Sequence, residues 1–442
     1  MMKNKMLLLA GIMLAIAAVF AVAGRLEIAA NPESLKDLVP ADMAWVAISS
    51  ALVMLMTPAL GFFYGGLVRQ KNLVSMLVQC MSIFAVASAV WTLWGYSLAF
   101  GPSIGGFVGN LKYFLLRGVG AAPDKAYAPT IPALGFYFFQ MKFAAITPAL
   151  IIGAFAGRVR FKSLLLFIVL WATFVYAPVS HWVWGNGGWL KNMGVLDFAG
   201  GIVVHLLAGV SALAAAFVVG RRATDERAVP CNVPFVILGV ALLWFGWFGF
   251  NAGSALAMNG IAVNALATTN ISAAFAMLSW MAADWYLTGK PTGTGAATGA
   301  VCGLGAITPA AGFVNVPCAI VIGLLAGLVC NFIVMMMNRT RLDDTLDVFA
   351  CHGCGGALGS LLTGVFASKL INPGGNDGLL FGNPKQLGLQ TLAVVVCAVW
   401  AFVMTVVLLK IVDKVMGLRV TPEEEDMGLD IIEHGEYAFW VD

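Results

Sequence analysis

Two ionisable pairs stand out of an otherwise apolar chain. Asp197 precedes His205 by eight residues within LDFAGGIVVHLLAG (196–209), and Asp344 precedes His352 by eight within DTLDVFACHG (344–353). A carboxylate attracts cations, and an imidazole gives or takes a proton near neutral pH. Inside apolar segments such groups are costly, and they mark pathways for ions or protons. Eight residues of α-helix rise about 12 Å. If the two helices run in opposite directions through a core about 30 Å thick, their imidazoles come within roughly 6 Å of one another in depth. The competing reading is structural: each histidine packed against a hydrogen-bonding neighbour, and Asp197 capping the orphan N–H groups of a helix start. Capping and cation recruitment are compatible, because a capped carboxylate stays ionised. Asp344 and Asp347 read as caps or anchors at the other end.

Such pairs need a bundle to hold them, and the composition supplies one. Of 442 residues, 60% are hydrophobic and 11% charged, and the mean hydropathy is +0.90. So few charges cannot cover so much apolar surface in water. The class is an all-α polytopic membrane protein with the lipid bilayer as solvent. The net charge of +3 carries no sign of a nucleic-acid partner; in such a chain the placement of charge among loops is what matters. Residues 1–23 carry Lys3 and Lys5, an apolar run and Ala21-Val22-Ala23. That is the plan of a cleaved signal peptide, the alternative being an uncleaved first helix. The eight cysteines lie almost entirely in apolar runs, where thiols act as small hydrophobes, so no disulfide framework is expected.

Eleven apolar stretches follow, near 43–67, 73–100, 132–157, 162–184, 198–219, 233–257, 261–288, 295–311, 316–337, 348–368 and 388–412. The eighth is short and glycine-rich. Alternate loops hold the basic residues: Arg69 and Lys71; Arg158, Arg160 and Lys162; Arg221, Arg222 and Arg227; Lys290; Arg339 and Arg341. The positive-inside rule therefore predicts an outside N-terminus and an inside C-terminus. This divides the chain into a signal (1–23), a membrane domain (24–416) and a cytoplasmic tail (417–442). AAITPALIIGAFAG (144–157) in the third stretch echoes GAITPAAGFV (305–314) in the eighth, just as the Asp/His pair of the fifth echoes that of the tenth. A common offset of five reverses orientation, so the chain reads as an inverted five-plus-five repeat with an extra eleventh helix.

Aromatic residues gather towards one end of several stretches: Phe136, Phe138, Phe139 and Phe143; Trp182 and Trp184; Trp244, Trp247, Phe248 and Phe250. An interfacial belt accounts for most of them. Converging rings with a hydroxyl such as Ser254 would instead form a cation–π cage, each contact worth about 0.5–2 kcal/mol. Lys142 stands beside Phe143. A step of about 100° along the helix turns it away from that residue's face, to snorkel towards the interface.

MTPALGFFYGGLVRQKN (56–72), FQMKFAAITPALIIGAFAGRVRF (139–161), HWVWGNGGWL (181–190), LDFAGGIVVH (196–205), WFGFNAGSA (247–255), DVFACHGCGG (347–356) and GLRVTPEEEDMGLDIIEHGEYAF (417–439) together resemble the ammonium transporter family (Amt/Mep/Rh), on its bacterial Amt side. The resemblance covers nearly the whole chain beyond the signal. It implies selective ammonium/ammonia transport for nitrogen uptake, in a homotrimer of eleven-helix subunits each with its own pore, set in the bacterial cytoplasmic membrane. An outer ammonium site maps to Phe143, Trp184 and Ser254, with Phe139 in the vestibule. Phe143 and Phe250 match the gate rings, Asp197 the residue of recognition and deprotonation, and His205 and His352 the twin imidazoles of the pore. Trp247 is a candidate pore-lining residue. The tail matches a docking surface for a cytoplasmic PII-type signal protein. No enzyme activity and no cofactor are implied.

Two rivals remain. The same fold could serve an ammonium sensor, although such proteins generally carry an output domain and only about 25 residues follow the last stretch. A haem-binding redox protein would use His205 and His352 as axial ligands. Against it, the histidine of CHGC (351–354) lies between its cysteines, whereas haem attachment needs C-x-x-C-H.

Overall fold

The computed structural model describes residues 13–14, 35–223 and 229–439. Most of the expected signal peptide, and Arg227, lie outside the described residues. Among the described residues, ten helices are long and apolar enough to cross a bilayer: α1 (Pro40–Leu67), α2 (Gln70–Phe100), α3 (Ala133–Phe155), α4 (Phe161–Val183), α5 (Gly201–Val219), α6 (Val233–Gly253), α7 (Gly260–Thr288), α9 (Val316–Met337), α10 (Phe349–Phe366) and α11 (Pro384–Met416). Between α7 and α9 lies α8 (Gly293–Ile307), apolar but shorter, which is the glycine-rich eighth stretch. The chain is not purely helical. Residues 103–109 and 123–132 form two small antiparallel ribbons between α2 and α3, on what is here termed the ribbon face.

These segments are apolar all round, as helices solvated by lipid and by one another must be. Burial sorts them. In α3 and α5, 89% and 83% of the span is covered by protein, against 33% in α11 and 39% in α7. The first two therefore form the centre and the last two part of the rim. Helix starts are marked by polar caps: the Asn232, Asn259 and Asn315 side chains accept N–H bonds at the beginnings of α6, α7 and α9, satisfying donors that lipid cannot.

Glycine decides how closely the central helices approach. On α6, a Cβ at Gly249 would come within 2.8 Å of the Ser49 carbonyl oxygen of α1, so the two backbones nearly touch. Between α5 and α10 the approach is closer still. A Cβ at Gly209 would fall into the backbone of Gly353, and one at Gly356 would sit 2.6 Å from the Gly201 oxygen. Small residues at such crossings are what apolar helices use to pack without a hydrophobic drive. The first turns of both helices, Gly201–Leu206 and Phe349–Cys354, are wound as π-helix, a geometry often found at functional positions. The repeated Ile-Thr-Pro motif also has one geometry in both halves: Thr147 and Thr308 each donate back four residues, to the Phe143 and Leu304 carbonyls.

The opposite face carries the basic loops, and the tail is bound there. The Asp430 carboxylate accepts the Val74 and Ser75 N–H groups at the start of α2. Arg160 pairs with Glu424 and Arg419 with Glu425, each at 2.9 Å. The acidic run 423–426 is thus more than a solvated face. Beneath it, Arg158 is fully buried 3.2 Å from Asp343, which also pairs with Arg222. Burial pulls the Arg158 guanidinium down to about 10, with Asp343 opposing. The Arg222–Asp343 pair places the end of α5 beside the start of α10, so these two helices run antiparallel.

The α5–α10 crossing yields a direct test. Gly356→Val should destabilise the fold by about 1–3 kcal/mol through overpacking, read as a lower melting temperature in detergent. Gly388→Val, at a position where a Cβ meets nothing within 4 Å, should change it little.

Candidate functional site

Residues of α1, α3, α5, α6, α8 and α10, with the end of α4, line two cavities one below the other from the ribbon face. Near the ribbon face lies a vestibule of about 560 Å3, lined by Phe136, Gln140 and Phe143 of α3, Trp184 at the end of α4, Ser254 after α6, and Phe100, Tyr127, Lys191 and Phe198 around them. Phe143 meets Trp184 edge-on at 6.1 Å. The Ser254 hydroxyl donates to the Phe250 carbonyl at 2.8 Å, so its lone pairs remain available as acceptors. The Trp184 indole donates to the Asp197 carbonyl at 2.9 Å, which fixes the ring plane.

Below the vestibule, Phe143 lies against Phe250 with ring centroids 4.4 Å apart. Phe139 packs edge-on against Phe143 at 4.9 Å and is itself buried, supporting the ring from behind rather than lining the vestibule. Beyond this pair comes a second, much narrower cavity. Its walls are Met56, Leu60, Ile146, Leu150, Val204, Leu243 and Val301, with Trp247, Phe250 and the two histidines. His205 and His352 meet there, ring planes 13° apart and Nδ1 atoms at 3.2 Å. One Nδ1 must donate and the other accept, so the pair shares one proton between the two facing nitrogens. The His205 Nε2 is buried without a protein partner, and Trp247 stacks on the same ring at 5.3 Å while its indole N–H binds Thr308.

The depth argument thus finds the two imidazoles together, but by a different route from straight helical rise. Asp197 precedes α5, and only the stretch from Gly201 to His205 is helical, wound as π. Asp197 lines neither cavity. Its Oδ1 accepts from Gly200 and Gly201 and its Oδ2 from Ile202 and Val203, at 2.7–3.1 Å. Four of the orphan donors at a helix start therefore end on one buried carboxylate. Asp344 makes the weaker version at the other end, with Oδ2 accepting from Phe349 and Oδ1 unpartnered.

Other expectations need correction. Lys142 does turn away from the vestibule, but it does not snorkel. It is 2% exposed, with Nζ 3.6 Å over the Phe138 ring and 5.2 Å over Phe84, since ring faces on α3 and α2 offer it a nearer partner than the interface. The aromatic clusters are mostly interior packing: Phe136, Phe139, Phe143, Trp182, Trp247 and Phe250 are all buried, with Phe138 exposed on the rim.

Two vestibule residues escaped the sequence reading. Gln140 lies three positions before Phe143, on the same helical face, and its buried Oε1 has no protein partner; the i, i+3 spacing was the available signal. Lys191 lies in a one-turn helix, Trp189–Met193, too short to show a periodicity that would betray it. Its Nζ donates to the Trp184 carbonyl at 2.9 Å and to Asn186 Oδ1 at 2.8 Å, and burial lowers its pKa from the ordinary lysine value.

The histidines also answer the haem reading. A metal linking two imidazole nitrogens holds them about 4 Å apart, and a 3.2 Å contact between stacked rings leaves no room for an iron and its macrocycle.

Comparison with known proteins accords with this geometry. The ammonium transporter family model matches residues 44–439. Ammonium transporter Amt1 of Archaeoglobus fulgidus is 47% identical over 400 residues, 90% of this chain and 99% of that protein. The crystal structure of Saccharomyces cerevisiae Mep2 superposes with a TM-score of 0.83 at 37% identity, over 88% of this chain and 89% of that one. A structure described as a sensor Amt protein superposes at 0.82, 32% identical, over 89% and 98%. With vestibule, ring pair and twin imidazoles carried on this fold, the chain belongs to the ammonium transporter family and is a multi-pass membrane transporter of ammonium.

Proposed function

We propose that the chain takes up ammonium by binding the cation in the vestibule, releasing its proton to vestibule water at the Phe143–Phe250 rings and passing ammonia through the narrow lumen. The observation that carries this reading is the paired imidazoles at 3.2 Å inside an otherwise apolar cavity. In the vestibule, NH4+ meets the faces of Phe143 and Trp184 and the acceptor oxygen of Ser254, each cation–π contact contributing about 0.5–2 kcal/mol. Within the lumen those few contacts do not offset desolvation, which costs an ion several kcal/mol. Neutral NH3 loses far less. Potassium and sodium have no proton to surrender and stop at the rings. The shared-proton imidazole pair offers ammonia both a donor and an acceptor midway.

Asp197 serves this scheme from behind the wall. It holds the first turn of α5, and hence His205, in place, and its charge lowers the energy of a cation approaching Trp184. The ribbon face is the outer face and the tail face the cytoplasmic one, following the basic loops. The setting is a bacterial cytoplasmic membrane with a cleaved 1–23 signal, a homotrimeric assembly, and a tail surface for a PII-type protein. Transport rather than sensing is the reading favoured here, because a second cavity holding the imidazoles lies directly beyond the ring pair that floors the vestibule.

Two experiments on proteoliposomes follow. Replacing His205 and His352 together with alanine should sharply lower ammonium uptake by removing the donor–acceptor pair midway; wild-type uptake in that variant would refute the role given to the pair. Asp197→Asn keeps the shape and one acceptor oxygen but loses the charge. Its transport should fall at least about tenfold, equivalent to about 1.4 kcal/mol. A lower melting temperature with full transport in the surviving protein would reduce Asp197 to a cap.

A further inference from the structure

Among the described residues lining the vestibule, Lys191 is the one charged side chain. Its primary ammonium is chemically an alkylated copy of the proposed substrate, and it is held as such a substrate would be. Two oxygens, the Trp184 carbonyl and Asn186 Oδ1, accept from it at 2.9 and 2.8 Å. The Tyr127 ring lies 5.4 Å beneath it. Tyr127 is itself fixed, donating to the Phe100 carbonyl and accepting the Asn186 N–H at 2.7 Å. The mouth therefore contains a formed ammonium subsite made of a carbonyl, an amide oxygen and a ring face, filled by the protein's own side chain. One of its walls, Trp184, also bounds the proposed binding place for the free cation.

We propose that Lys191 is a tethered competitor: its ammonium occupies an outer subsite for primary ammonium ions and, by its charge, sets how weakly the vestibule holds free ammonium. The inference rests on the transport reading given above and assigns a residue that determines its affinity. The physical reason is simple repulsion. Two like charges within one residue's reach of each other disfavour joint occupancy even in a partly wet cavity, and no carboxylate lines the vestibule to neutralise the lysine. The effect on flux is favourable at high supply, since a site that binds its cargo tightly releases it slowly to the next step. Ionic screening reaches the mouth, so the repulsion weakens as salt rises.

The test uses the full chain in proteoliposomes, with the initial rate of ammonium uptake, read as internal alkalinisation above protein-free vesicles, measured against ammonium concentration at low and high ionic strength. Lys191→Met keeps the length and removes the charge. Asn186→Asp keeps the lysine and neutralises it with an adjacent carboxylate. Both should lower the half-saturating ammonium concentration roughly three- to tenfold at low salt, with a smaller change at high salt, and methylammonium should compete better in Lys191→Met. Lys191→Arg, which retains the charge, should stay close to wild type. An unchanged or raised half-saturation in both neutralising variants overturns the proposal, as does a Lys191→Arg that behaves like Lys191→Met. If the wild type takes up no more ammonium than protein-free vesicles, it is the transport reading that fails, so the two failures are told apart.

Discussion

The contact on which the site depends is backbone against backbone, where α5 and α10 cross at Gly209 and Gly353. Imidazoles are short. For Nδ1 of one histidine to reach 3.2 Å from Nδ1 of another, their helices must approach more closely than side chains of ordinary size permit. Lipid supplies no hydrophobic drive for that approach, so close packing has to supply it. The π-wound turns at 201–206 and 349–354 begin their helices and so leave first-turn backbone donors without an intrahelical partner. Asp197 takes up four of them at the α5 end. Crossing, π-turn and carboxylate are thus one device, and the stacking of the two rings at 13° is its product.

Given that device, selectivity follows from the inequality between what ring faces return and what dehydration demands. Two cation–π contacts, with Phe143 and Trp184, at about 0.5–2 kcal/mol each suit a vestibule in which the ion keeps part of its water. They are outweighed in the lumen, whose wall is aliphatic apart from Trp247, Phe250 and the histidines and where an ion forfeits several kcal/mol of hydration. The ring pair marks the boundary between those regimes, and a species crosses it by ceasing to be charged.

Much of this was legible in the residues. The eight-residue Asp/His spacing and the shared offset of five identified the histidines, because ionisable residues are rare in apolar runs and so stand out. The geometry behind the estimate was less readable. A straight α-helical rise from Asp197 was assumed, whereas the chain enters the helix only at Gly201 and winds it as π; the two departures lead to the same meeting place because both helices share the same winding. Lys142 was expected to reach for the interface and instead lies on Phe138, since a sequence does not reveal which rings from a neighbouring helix will be near. Lys191 and Gln140 went unseen for a related reason: a vestibule is assembled from loop and helix ends whose proximity leaves no periodic trace.

The two halves of the repeat share a motif but not an environment, and the difference lies in their acids. At the vestibule end both oxygens of Asp197 are engaged and the residue is 7% exposed. At the tail end Asp344 binds one N–H and leaves Oδ1 without a partner. Its neighbour Asp343 joins Arg158 and Arg222, and Glu425 of the tail accepts the Ala223 N–H directly after Arg222. The turn that carries His352 is therefore anchored through a row of contacts reaching the tail, while the turn that carries His205 is anchored by its own carboxylate alone. An inverted repeat would make the two ends alike; charge placed in the basic loops and the acidic tail makes them distinct, and gives the path a direction in structure that its central imidazoles, facing each other Nδ1 to Nδ1, do not possess.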